Sequence, residues 1–154
     1  MNLQLSETID CPPSALWPWI DETDKAKQWL RGLESAVPIT KGAKRPGHET
    51  ILQIREGRKL SEYKQTILEY EPEKRFKLRM EGGCLRGMVM IVDYRLVDLA
   101  NHRTRLDYEC TAEATGFMRI LAKVFAVFGR MQARSFFREL KRLAEGAEAG
   151  RMPA

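Results

Sequence analysis

Between residues 33 and 115 of this chain, apolar and polar side chains alternate; from 117 to 145 the apolar ones recur every three or four positions. A period of two marks strands with one buried face, and a period near 3.6 marks an amphipathic helix. The alternating region divides at turn residues into segments 33–39, 48–56, 59–71, 74–81, 86–98 and 103–115. Glu56-Gly57, Glu71-Pro72-Glu73, Gly82-Gly83 and Ala100-Asn101-His102 supply the turn chemistry. Connections this short favour antiparallel hairpins, so the middle of the chain is predicted to be a meander. A sheet that is polar on one face must hide the other, and the one long element available to cover it is the helix 117–145.

Ahead of the meander, residues 2–10 alternate as a half-buried strand that ends at Pro12-Pro13. Short helices are predicted over 13–20, where Pro18 is a potential break, and over 24–30, ending near Gly32. The fold class is therefore α+β: a curved antiparallel sheet wrapped around a long C-terminal helix, with two short helices after the first strand. On the helix, Phe117, Leu121, Val124, Phe128 and Met131 share an apolar face, which drifts toward Phe136, Leu140 and Leu143. A single domain over 1–146 and a frayed tail over 147–154 complete the expected organisation. The length of 154 residues suits one domain.

Strand parity assigns the inner face. With Glu62 and Lys64 outward, Tyr63, Gln65 and Ile67 point in; with Arg75, Lys77 and Arg79 outward, Phe76, Leu78 and Met80 point in. Asp93 and Arg95 outward put Met88, Met90, Val92 and Tyr94 inside, and Asp107, Glu109 and Glu113 outward put Leu106, Tyr108, Cys110, Ala112 and Ala114 inside. Methionines, alanines and hydroxyl-tipped tyrosines are a poor set for a close-packed core. They suit an apolar cavity with convergent polar tips, the usual form of a small-molecule site. The alternative is a plain core whose tyrosine hydroxyls reach backbone or the sheet rim.

Other chemistry finds little support. Cys11, Cys84 and Cys110 are odd in number and form no C-x-x-C pair, so a reducing, cytoplasmic setting is expected. His48 and His102 stand apart from the cysteines, and no metal or cofactor site can be drawn. The N-terminus shows no basic and apolar leader, and Ile120–Phe128, interrupted by Lys123, is too short to span a bilayer. No charged cavity residue is evident from parity, and neither histidine is placed to activate Cys110. The net charge is +5. Arg119, Lys123, Arg130, Arg134 and Lys141 line the helix face opposite the apolar one, where the first four could meet anionic lipid or RNA. A solvated face is favoured over membrane contact, and without interleaved aromatics nucleic acid is disfavoured.

The segment Ile9-Asp10-Cys11-Pro12-Pro13-Ser14-Ala15-Leu16-Trp17-Pro18-Trp19-Ile20, followed by Trp29-Leu30, resembles the opening of the SRPBCC superfamily. These are the START-like, polyketide cyclase/dehydrase-like helix-grip proteins. Ile67-Leu68-Glu69-Tyr70-Glu71-Pro72 followed by Arg75-Phe76, the strand with Thr104-Arg105-Leu106 and the terminal helix look like later parts of the same pattern. The resemblance implies a deep apolar cavity between sheet and helix that binds lipids, quinones, polyketides or other hydrophobic molecules. It implies that the short helices guard one mouth, with Trp29 as gate, stacking residue or core anchor. The candidate ligand-binding set is Trp29, Tyr63, Gln65, Leu78, Met90, Tyr94, Tyr108, Cys110, Val124 and Phe128. The alternatives carried forward are a cyclase or dehydrase-like enzyme that works through Tyr63, Gln65, Tyr94 and Tyr108, and a protein or RNA interaction module on the basic helix face.

Overall fold

The computed structural model of the protein describes residues 2–85, 88–113 and 118–151, with all side chains among them except 84, 118–126 and 128. The order is β1 (Asn2–Ile9), α1 (Pro13–Asp21), α2 (Thr23–Ala26), β2 (Leu33–Pro38), β3 (Glu49–Glu56), β4 (Lys59–Glu71) and β5 (Arg75–Gly82). A 3-10 turn (Gly83–Leu85), β6 (Val89–Ala100), β7 (Arg103–Glu113) and α3 (Met118–Arg151) follow. The seven strands form one antiparallel sheet in the order β1-β7-β6-β5-β4-β3-β2. The meander from β2 to β7 is as the turn residues dictate. α1 and α2 carry the chain from one edge strand, β1, to the other, β2.

Local chemistry explains the elements. Pro13 opens α1 at a position where its missing N–H is no loss. Pro18 removes one internal hydrogen bond, yet α1 runs through it, because Leu16, Trp17, Trp19 and Ile20 are all buried. The Trp17 ring lies 5.7 Å from Tyr70 and 6.2 Å from Phe76. The β6–β7 hairpin turns through Ala100, Asn101 and His102, all with positive φ.

Four details differ from expectation. α2 ends at Ala26 instead of near Leu30, and the chain over 27–32 runs in turns. Asp93 is only 5% exposed although it points to the convex face. Arg75 explains this: its guanidinium donates to both Asp93 oxygens, at 3.1 and 2.8 Å, and covers the carboxylate. Met131, predicted on the apolar helix face, is 65% exposed. The rotation of α3 is set instead by Ala133, Phe137, Leu140 and Ala144, which are all buried and recur at helical spacing. Phe137 is six residues beyond Met131, roughly 240° around the helix, so the two cannot share a face. Finally, α3 continues through Gly146 to Arg151, because Ala144 and Ala147 still pack on the core.

The main core joins β1, α1, the central strands and the second half of α3. A smaller cluster of Leu52, Tyr63 and Leu85 lies at the β3–β4 side, packed with partly buried Leu33, Ala36, Ile54, Met80, Met88 and Met90. The hollow described next lies between the two.

Candidate ligand cavity

The concave face of the sheet and α3 enclose a cavity of about 430 Å³. Such a volume falls at the lower end of the range for small-molecule sites. Eight of the predicted residues line it: Trp29, Tyr63, Gln65, Leu78, Met90, Tyr94, Tyr108 and Cys110. The side chains of Val124 and Phe128 lie outside the described residues, as do those of Arg119, Lys123 and Ala114. The described part of α3 contributes Gly129, Gln132, Ala133 and Phe136 to the wall. Small residues at 129 and 133 leave the space that larger side chains would fill.

The floor comes from β6 and β7. Tyr94 and Tyr108 are register partners there, as are Val92 and Cys110. The two tyrosine rings are 5.3 Å apart, and the Phe137 ring sits 4.9 Å from Tyr108. Burial raises the pKa of both phenols above the ordinary tyrosine value. Burial likewise raises that of the Cys110 thiol, against the opposing effect of its hydrogen bond with Tyr108. All three stay protonated at neutral pH and are therefore donors, not bases. Tyr94 is 9% exposed, and its hydroxyl has no hydrogen-bond partner among the described residues.

A carboxylate does enter the cavity, contrary to expectation. Glu56 is the last residue of β3, on the same face as Thr50, Leu52 and Ile54. Parity carried to the end of the strand would have found it; the adjoining Gly57 marked it instead as a turn residue. The Tyr63 hydroxyl donates to Glu56 Oε1, and the Ser61 hydroxyl donates to Oε2 at 2.7 Å. Gly82 and Gly83 do more than turn the chain. A Cβ on Gly83 would overlap the Tyr63 ring, and one on Gly82 would stand 2.8 Å from the Glu62 carbonyl oxygen. The glycine pair thus lets the backbone lie against Tyr63 and hold its hydroxyl on Glu56.

A second polar group also lines the cavity. Lys44 donates to the Asp21 backbone carbonyl at 2.5 Å and to its carboxylate at 2.9 Å. Tyr70 donates to the same carboxylate oxygen at 2.9 Å. Burial and then that hydrogen bond push the Tyr70 pKa up to about 12. The loop before β3 is thereby tied to the end of α1.

Trp29 is 1% exposed, and its indole N–H donates to the Trp19 carbonyl at 2.7 Å. Its ring lies 6.4 Å from Tyr94 and 5.8 Å from Phe137. Held this way, its ring forms part of the cavity wall and ties the chain after α2 to α1. Among the described residues no group of His, Cys, Asp and Glu is arranged to hold a metal ion. None of their helices is long and apolar enough to cross a membrane.

Residues 2–148 match the family described as polyketide cyclase / dehydrase and lipid transport. A search of curated proteins finds no match. Several solved structures share the fold at low identity. A protein from Thermus thermophilus superposes with a TM-score of 0.73 at 16% identity, covering 96% of this chain and 99% of that one. The Zhui aromatase/cyclase from Streptomyces sp. R1128 gives 0.71 at 12% identity, covering 94% and 93%. A point mutant of Thalictrum flavum norcoclaurine synthase, in complex with a transition-state analogue, gives 0.71 at 15% identity, covering 96% of each chain.

Proposed function

We propose a function from one premise: the chain belongs to the polyketide cyclase / dehydrase and lipid transport family. It binds a hydrophobic small molecule, a lipid, quinone or polyketide-like compound, in the cavity between the sheet and α3. One observation carries this reading: an apolar hollow of about 430 Å³ holds the hydroxyl of buried Tyr94 without a partner among the described residues. The hydroxyl opens into the hollow, so a ligand oxygen seated there can accept from Tyr94 without displacing a protein partner. The free thiols of Cys11 and Cys110 fit a reducing, cytoplasmic setting.

The test uses a matched pair, 1-tetralone and tetralin, which differ by one carbonyl oxygen. Both should quench or shift tryptophan fluorescence saturably, with the ketone bound more tightly. Tyr94→Phe should lower ketone affinity about tenfold and leave tetralin unchanged. Absence of binding by either compound contradicts the proposal. Mass identification of whatever copurifies with the protein would then define the natural ligand class.

The Glu56–Tyr63 hydrogen bond supports a second reading, a cyclase or dehydrase-like enzyme. There, Glu56 orients Tyr63 and takes up the proton released from the carbon beside a substrate carbonyl, while the protonated phenols donate to that carbonyl oxygen as it gains charge. It predicts that Tyr63→Phe keeps ligand affinity and loses turnover of a bound polyketide; unchanged turnover contradicts it.

A further inference from the structure

A second concavity lies outside the main cavity, between β1 and the second half of α3. Its volume is about 410 Å³. Tyr108 and Phe137 form part of its inner wall, and Leu5 and Leu106 continue that apolar surface. Tyr108 also lines the main cavity, so this ring stands between the two compartments. The outer side has a different character. Arg134, Arg138 and Lys141 line it from α3, facing Gln4, Ser6 and Glu7 of β1.

The charges there are not balanced. Lys141 bonds the Glu7 carboxylate at 3.3 Å and approaches Glu145 at 3.9 Å, so its charge is met within the protein. Arg134 and Arg138 make no ion pair or hydrogen bond among the described residues. They are four residues apart and therefore one turn apart on the same side of the helix. Their stripe lies directly beside the buried seam of Ala133, Phe137 and Leu140, which brings it against the β1 edge and not to the far side of the helix. A pair of guanidinium forks above an apolar floor matches a planar or tetrahedral oxyanion that carries a short hydrocarbon.

We propose that the groove between β1 and α3 is a second binding site, which takes an amphipathic oxyanion: a carboxylate or phosphate monoester with a short apolar chain. The oxyanion lies between Arg134 and Arg138, and the short chain lies on the partly exposed Leu5 and Tyr108, backed by buried Leu106 and Phe137. The site is separated from the main cavity by the Tyr108 ring and takes its ligand without entering that cavity.

Calorimetric titration with hexyl phosphate and hexanoate tests this, with inorganic phosphate and hexanol as the half-ligand controls. N-phenyl-1-naphthylamine, a neutral apolar fluorophore, occupies the main cavity in parallel. At least one of the two amphiphiles should bind with one site per chain, about tenfold or more tighter than either control. It should not displace the fluorophore. The double variant Arg134→Gln/Arg138→Gln, altered only at exposed positions, should lose about tenfold or more of that affinity and bind the fluorophore normally. Displacement of the fluorophore, equal binding by a control, or unchanged affinity in the double variant would overturn the proposal. So would failure of both amphiphiles to bind while the fluorophore does. Failure of the fluorophore alone would contradict the main-cavity reading and leave this one standing.

Discussion

The two halves of the sheet treat the same kind of strand in opposite ways. Where β1, β7 and β6 meet the second half of α3, the inner face is filled: Ile9, Leu106 and Leu140 are almost fully buried, and Phe137 packs on Tyr94 and Tyr108, while Leu3, Val92 and Cys110, farther along the same strands, line the hollow. On the β2-β3-β4 side, Leu33, Ala36 and Ile54 remain only partly buried around a hollow. Both sides have polar alternation on the convex face, so alternation decides only which face is inner. Whether that face is filled depends on what α3 presents. Phe137 and Leu140 fill their half, and Gly129 and Ala133 leave space. One half holds the fold together, and the other is free to hold something else.

That contrast breaks most sharply on truncation. Leu140→Ala should cost about 3 kcal/mol in denaturant unfolding, because the surrounding seam cannot collapse into the space. Leu52→Ala, the same change on the wall of the hollow, should cost only about 1 kcal/mol and should enlarge the cavity. Equal losses would mean that the two halves are packed alike. Gly83→Ala should cost about 2 kcal/mol, since it strains a positive φ and pushes the Tyr63 ring off Glu56; the ketone-binding assay should respond as well. Asp93→Asn should cost about 1–2 kcal/mol, toward the lower end because Arg75 is a third exposed, and should leave ligand binding unchanged.

Alkali gives a further test. Tyr94, Tyr108 and Tyr70 have folded pKa values above the ordinary 10.0. Above pH 10 the unfolded chain therefore releases phenolic protons that the folded protein keeps, and stability falls with rising pH. Below pH 10 these groups contribute fully and their contribution is flat. Thermal melts should decline from pH 10 through about 12 as Tyr70 titrates. Tyr94→Phe should blunt the decline.

Much of this arrangement was legible in the residues. Turn chemistry at Glu56-Gly57, Gly82-Gly83 and Ala100–His102 fixed the meander, and strand parity put Tyr63, Leu78, Met90, Tyr94 and Cys110 on one face. What parity misses is contact across elements. Asp93 looks like a solvent residue until Arg75 folds over it. Met131 looks apolar and inward until the seam at Ala133 and Phe137 fixes the helix rotation. Glu56 looks like turn chemistry because sequence does not say where β3 stops. The order of strands, with β1 joining β7, is also a long-range choice that alternation alone does not encode.

The most direct measurement is a fluorescence titration of the protein with N-phenyl-1-naphthylamine, alongside a Leu78→Trp variant that puts an indole into the hollow. The account predicts saturation at one fluorophore per chain for the native protein. It predicts at least about a tenfold loss of affinity in the variant, with an unchanged circular dichroism spectrum. No fluorescence gain with the native protein, or equal affinity in a folded Leu78→Trp variant, would contradict a ligand cavity at this place.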